Sequence, residues 1–257
     1  MRRIRGWRRV HWLGLAGLVV LAPAPIGYPR PAASPDAKIP VLVELFTSEG
    51  CSSCPPADAL LQAIDREQPI PGAQVIVLSE HVDYWNYEGW RDPFSSPDAT
   101  ERQNTYAARF SQDSPYTPEA VVDGSRGMNG SDRRALFGAI EQSAQQPKLE
   151  IVITSAAANG KSVEASVKVA PHPDADLYAV LADDHDESSV ARGENSGRHL
   201  EHVAVMRSIQ KVGRVDKGLE SQIHFDLPSH PAQKLRLVIF AEERGTGHIL
   251  GVAETRL

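Results

Sequence analysis

The chain has only two cysteines, Cys51 and Cys54, and Pro55 and Pro56 follow them directly. Proline has no backbone N–H and is accepted in a helix only within the first turn. Leu60, Leu61 and Ile64 then recur at helical spacing. The pair therefore sits at the start of a helix. Cysteines at i and i+3 there share one face, about 5–6 Å apart, which is the separation a disulfide wants. The partial positive charge of the helix N-terminus also favours a thiolate over a thiol.

Three chemistries are open to such a pair. In thiol–disulfide exchange, an exposed Cys51 attacks a substrate disulfide and Cys54 resolves the mixed intermediate. The second is a fixed Cys51–Cys54 disulfide, but a loop of about four residues stabilises by only about 2 kcal/mol in the chain-entropy account. The third is metal binding. Two thiolates are half a site, no second CxxC completes a zinc tetrahedron, and His81 is a candidate third ligand in a set copper would accept. Taken alone, a histidine such as His81 is more often a hydrogen-bonded structural residue than a ligand or base.

Residues 1–24 read as a signal sequence: five arginines, then the apolar run Trp12 to Ala22, short for a membrane span. Residues 25–38, rich in Pro and Ala, read as a linker. Losing residues 1–24 takes the formal net charge from −6 to −11, because those residues hold five Arg and no acid. So acidic a chain is a poor partner for nucleic acid or an anionic membrane. Membrane attachment is expected only through an uncleaved leader, and the destination is the periplasm or the outside of the cell. Phosphate-loop, dinucleotide and serine-nucleophile motifs are absent, and no cofactor is called for.

The apolar run Val41 to Phe46 and the segment Gln74 to Ser79 predict buried strands flanking the cysteine helix. Ser96-Pro97 predicts the start of a second helix, Asp123-Gly124 a hairpin, and Ser131-Asp132 a third helix. Together they predict a four-stranded mixed sheet with helices on both faces over residues 39–147. Seven strand-like runs then lie between Lys148 and Leu257, separated by turn residues. Those predict a separate antiparallel, sandwich-like domain over 148–257.

The order Val43-Glu44-Leu45-Phe46, Cys51-Ser52-Ser53-Cys54-Pro55, Thr117-Pro118 resembles the thioredoxin-like superfamily. That resemblance implies an α/β thioredoxin-like domain followed by the β domain. It implies that Pro118 is a cis-proline beside the cysteines, with Thr117 its substrate-facing neighbour, and that Glu44 is a buried proton acceptor for Cys54. Gly50 stands where the usual tryptophan would be, and Ser52-Ser53 replaces Gly-Pro. More narrowly, Glu44 to Asp58, His81-Val82-Asp83-Tyr84-Trp85, Tyr116-Thr117-Pro118 and Arg192-Gly193-Glu194-Asn195 resemble an exported bacterial family of unknown function (domain of unknown function 1223).

Trp85 and Trp90 lie between the second strand and Pro118, and read either as walls of a substrate groove over Cys51 or as a satellite core. Asp183-Asp184-His185-Asp186-Glu187 reads as a solvated acidic turn. Arg192 to Gly197 reads as a wide hairpin or as a segment docking near the cysteines. The expected function is an exported thiol–disulfide oxidoreductase or redox sensor acting on a protein or small-molecule thiol or disulfide, with a membrane-bound reductase as a candidate partner. The alternative is a non-enzymatic binding protein holding a structural disulfide or a Cys51/Cys54/His81 copper site.

Overall fold

The run Val41 to Phe46 forms the centre of strand β1 (Ile39–Thr47), and every residue of that run is buried. Both of its faces are therefore covered. Val41, Val43 and Leu45 face helix α1 (Pro55–Glu67) through Ala57, Leu61 and Ile64, while Leu42 and Phe46 face helix α2 (Pro97–Arg109) through Ala99 and Tyr106. Strand β2 (Ala73–His81) pairs with β1 in parallel, as two strands joined by a helical crossover must. Strands β3 (Glu119–Val122) and β4 (Gly127–Asn129) follow as a hairpin, turned at Asp123-Gly124 with positive φ at both residues. Helix α3 (Arg133–Ser143) is capped by Asp132, whose side chain accepts from the Ala135 N–H. This computed structural model describes residues 38–227 and 234–257; the leader and nearly all of the linker lie outside the described residues.

The remaining strands are β5 (Ile151–Ala158), β6 (Ser162–Val169), β7 (Ala175–Ser189), β8 (His199–Arg214), β9 (Leu219–Asp226), β10 (Leu235–Glu243) and β11 (Ile249–Arg256). They do not build a domain of their own. β7, β8, β10 and β11 join the first four strands in one eight-stranded mixed sheet, ordered β11-β10-β7-β8-β2-β1-β3-β4. β5, β6 and β9 form a separate three-stranded sheet. The seam is the parallel contact of β2 with β8, where Ser79 pairs with Val205.

The expected helix-flanked thioredoxin-like domain followed by a separate all-β sandwich is thus overturned. Strand accounts for 46% of the described residues and helix for 17%, and the large sheet crosses the expected division. The physical reason is the free edge of β2. A long, buried, apolar strand does not leave one edge unpaired, and β8 supplies the partner. The apolar residues follow the same logic. Leu42, Phe46, Ile76 and Leu78 share one continuous core with Val180, Met206, Val238 and Phe240. The opposite face is divided between α1 and α3 on one side and the three-stranded sheet on the other, the latter packing on Leu177, Ala179, Leu237 and Ile239.

The acidic run Asp183 to Glu187 is also corrected: it belongs to β7, not to a turn. Arg236 reaches Asp184 at 2.5 Å and Arg207 reaches Asp183 at 3.3 Å, so two carboxylates of this extended run have cross-strand cationic partners.

Candidate functional site

Cys54 is the N-cap residue of α1, and Pro55 and Pro56 occupy its first two positions. Cys51 and Cys54 form a disulfide with their Cα atoms 5.5 Å apart. Ser52 and Ser53 between them are exposed, yet both cysteines are fully buried. The freely exposed Cys51 expected from sequence is therefore corrected.

Two segments cover the pair. On one side, Trp85 lies so close to Gly50 that a Cβ there would come 3.0 Å from the Trp85 Cβ and 3.2 Å from its carbonyl oxygen. Gly50 thus makes room for a tryptophan supplied from a distant loop. The Trp85 indole N–H donates to the Thr117 hydroxyl at 2.8 Å, and the Thr117–Pro118 bond is cis. Pro118 and Ala57 of α1 both border Gly130. The structure so gathers Trp85, Thr117 and Pro118 around the cysteine turn.

On the other side lies the β7–β8 connection. The Asn195 side-chain NH₂ donates to the carbonyl oxygens of Glu49 (2.8 Å) and Cys51 (2.9 Å), and the Ser52 N–H donates to Glu194 at 3.1 Å. Those Ser52 contacts hold the exposed Glu194 carboxyl below its ordinary range. Gly193 has φ +78°, and a Cβ there would lie 3.0 Å from the Trp90 Cβ, so glycine permits both the turn and the close approach.

Beneath the turn is a set of buried ionisable residues: Glu49, Asp58, His81, Asp92 and His202. Both oxygens of Glu49 are engaged. Its carboxylate accepts from the Ser188 hydroxyl and the Trp90 indole N–H (2.8 Å), and the His202 Nε2 lies 3.2 Å away. Both oxygens of Asp92 are engaged as well, by the Glu49 N–H (2.9 Å), the Phe94 N–H (2.9 Å) and the His81 Nδ1 (2.7 Å). Burial opposes the Asp92 charge, but His81 and these donors outweigh it and hold the carboxyl down at about 2. Asp58, in the first turn of α1, is pushed up to about 6 by burial, against the opposing field of His202. The His81 and His202 rings meet edge to face with centroids 4.5 Å apart.

Glu44 is not part of this group. It lies on the face of β1 that meets α2, accepts the Tyr106 hydroxyl at 2.6 Å and pairs with Arg102. Alternation along β1 decides this, since Val43 and Leu45 are the residues that face α1. Trp90 hydrogen-bonds Glu49 and Trp85 joins the α2-side core, so both serve to build the turn's surroundings. His81 is held by Asp92 through Nδ1, and both sulfurs of the copper alternative are engaged in the disulfide. Among the described residues, three potential ligands gather only at exposed Glu187, His199 and Glu201, a group that contains neither cysteine. A cavity of about 520 Å³, lined in part by Asp123, Arg126, Lys148 and His248, also lies elsewhere.

Asp58 and Asn195 fall within the motifs read from sequence, but nothing local assigned them a task. Asp92 and His202 carried no signal of their own, because their partners come from distant strands.

Fold and site define a mixed β protein with a short, buried disulfide closed over buried acid and histidine side chains. The chain belongs to the family described as "Protein of unknown function (DUF1223)", whose model matches residues 42–242. Protein AGR_C_4864 from Agrobacterium tumefaciens is similar in fold, with 24% identity, a TM-score of 0.62, and coverage of 86% of this chain and 94% of that one. A DUF3823 family protein from Bacteroides ovatus is far more distant, at 14% identity, TM-score 0.29, and coverage of 43% of this chain and 55% of that one. Among curated proteins, none matches the chain.

Proposed function

We propose that the protein is an exported thiol–disulfide switch, an oxidoreductase or redox sensor working through Cys51 and Cys54. The observation that carries this reading is the disulfide's position over buried Glu49, Asp58, His81, Asp92 and His202. Burying ionisable groups costs free energy, and a plain crosslink gains nothing from them. A four-residue loop is moreover a weak staple, contributing only about 2 kcal/mol. Export rests on the basic and apolar leader. Cys51 is the attacking or attacked sulfur and Cys54 the resolving one, reached once the Asn195 segment is displaced. Thr117, Pro118 and Trp85 then border the partner, a protein or small-molecule thiol, and a membrane-bound reductase is the candidate source of electrons.

The burial of both sulfurs favours a second reading, a permanently closed structural bridge in a binding protein. The reduction potential separates the two. The switch predicts a value between about −120 and −270 mV, whereas a value below about −300 mV marks a bridge the cell does not open.

A further inference from the structure

Three carboxyl groups lie under the cysteine turn, and two of them are hydrogen-bonded through both oxygens. Every oxygen of Glu49 and Asp92 already accepts from a named donor. Asp58 differs: it is 6% exposed, and its Oδ1 has no hydrogen-bond partner among the described residues. His202 Nδ1, likewise buried, has none either.

Asp58 is also the carboxyl one helical turn from a sulfur. Its N–H donates to the Cys54 carbonyl oxygen at 3.2 Å, the i to i+4 bond that opens α1. Residues so spaced stand one above the other on a single helix face, with Cβ atoms about 5–6 Å apart. Cys54 and Asp58 are both buried on that face.

We propose that Asp58 exchanges a proton with the Cys54 sulfur when the disulfide opens and closes, with His202 stabilising the carboxylate; this rests on the redox reading above. A substrate thiolate attacks the Cys51 sulfur and forms a mixed disulfide. The Cys51–Cys54 bond breaks, and the Cys54 sulfur leaves with the electron pair and takes the proton of Asp58. The second thiolate of the substrate dithiol then attacks the substrate sulfur of the mixed disulfide, which releases Cys51 as a thiolate. Two electrons have passed from the dithiol to the protein. In reverse, Asp58 takes the Cys54 proton, so that Cys54 attacks the mixed disulfide.

The charged groups facing Asp58 are Glu49 from the cysteine loop, Asp92 from the loop after β2, and His202 from β8, and the Thr47 hydroxyl at the end of β1 also favours its ionised form. The two acids favour the protonated carboxyl and His202 favours the ionised one. Proton donation is therefore available below about pH 6 and fades above it.

The test is reduction of the purified full-length protein by dithiothreitol, with rates corrected for thiolate concentration across pH 4.5 to 8. The wild-type rate should fall as pH rises through about 6. Asp58→Asn should be about 10²-fold slower at pH 5 and lack that break, and Asp58→Glu should restore it. An Asp58→Asn profile identical to the wild type overturns the proton transfer and leaves the switch standing. A wild type inert to dithiothreitol at every pH overturns both. Infrared spectra of the wild type with isotopically labelled aspartate give a readout that needs no variant. The buried Asp58 carboxyl band should shift on reduction, and an unmoved band overturns the proposal.

Discussion

Asn195 caps Cys51: its side-chain NH₂ donates to the Cys51 carbonyl oxygen at 2.9 Å, and both residues are buried. The same NH₂ donates to Glu49 at 2.8 Å, so one amide from the β7–β8 connection closes the loop before α1. The buried disulfide is thereby covered on this side by a segment remote from it in sequence.

Asn195→Ala should speed reduction of the disulfide. The substitution leaves the buried Glu49 carbonyl without a donor, at about 1–3 kcal/mol, and the Cys51 carbonyl with only the Cys54 N–H at 3.3 Å, and so lowers the free energy of local opening. A gain of about tenfold in the rate with dithiothreitol is expected, since 1.4 kcal/mol is a factor of ten. Unchanged kinetics would mean that the Asn195 segment does not control access.

Asp58 should make the protein less stable at neutral than at mildly acidic pH. Its folded carboxyl is raised to about 6 from an ordinary 3.8, so the folded state binds the proton more tightly than the unfolded one. That contribution is fully present below the lower value and is lost as pH rises through the upper one. Asp58→Asn removes it. The gain in stability of the variant over the wild type should therefore grow by up to about 3 kcal/mol between pH 4 and pH 7. Urea unfolding at a series of pH values measures this, and a constant difference would show that Asp58 is not perturbed.

Gly50→Ala should destabilise by about 1–3 kcal/mol. The new methyl would meet the Trp85 Cβ at 3.0 Å and its backbone oxygen at 3.2 Å, and the latter cannot rotate away. Thermal unfolding of the variant checks the fit of Trp85 against the cysteine loop, and an unaltered midpoint would contradict it.

What the sequence made legible was local chemistry. Pro55-Pro56 set the start of α1, Ser96 caps α2 with its side chain accepting from the Ala99 N–H, and Asp123-Gly124 turns the β3–β4 hairpin. Each depends on neighbours within four residues. The pairing of Ser79 with Val205 does not, and without it the strands of the second half looked like a domain of their own. Glu44 was visible as a buried acid, but alternation fixes only which residues share a face, not which helix covers it. The helix opposite Glu44 is α2 rather than α1. The disulfide was legible, but its burial was not, because Asn195 and Trp85 reach it from segments that carry no periodic signal.

The network around Glu44 yields a contrast between two substitutions. Arg102 pairs with Glu44, with Glu80 at 3.7 Å and with Glu242 at 3.1 Å, all in the interior, while Arg109 meets Glu242 at 2.7 Å. Three acids thus face two guanidinium groups. Burial, reinforced by the neighbouring Glu44 charge, pushes the Glu80 carboxyl well above its ordinary range and so favours its protonated form. Glu80→Gln keeps a neutral side chain of the same shape and should change stability by less than about 1 kcal/mol at pH 7. Arg102→Met leaves buried carboxylates without their cation and should cost about 3–5 kcal/mol. Chemical unfolding of both variants checks the assignment. A Glu80→Gln loss as large as that of Arg102→Met would show Glu80 to be ionised and paired.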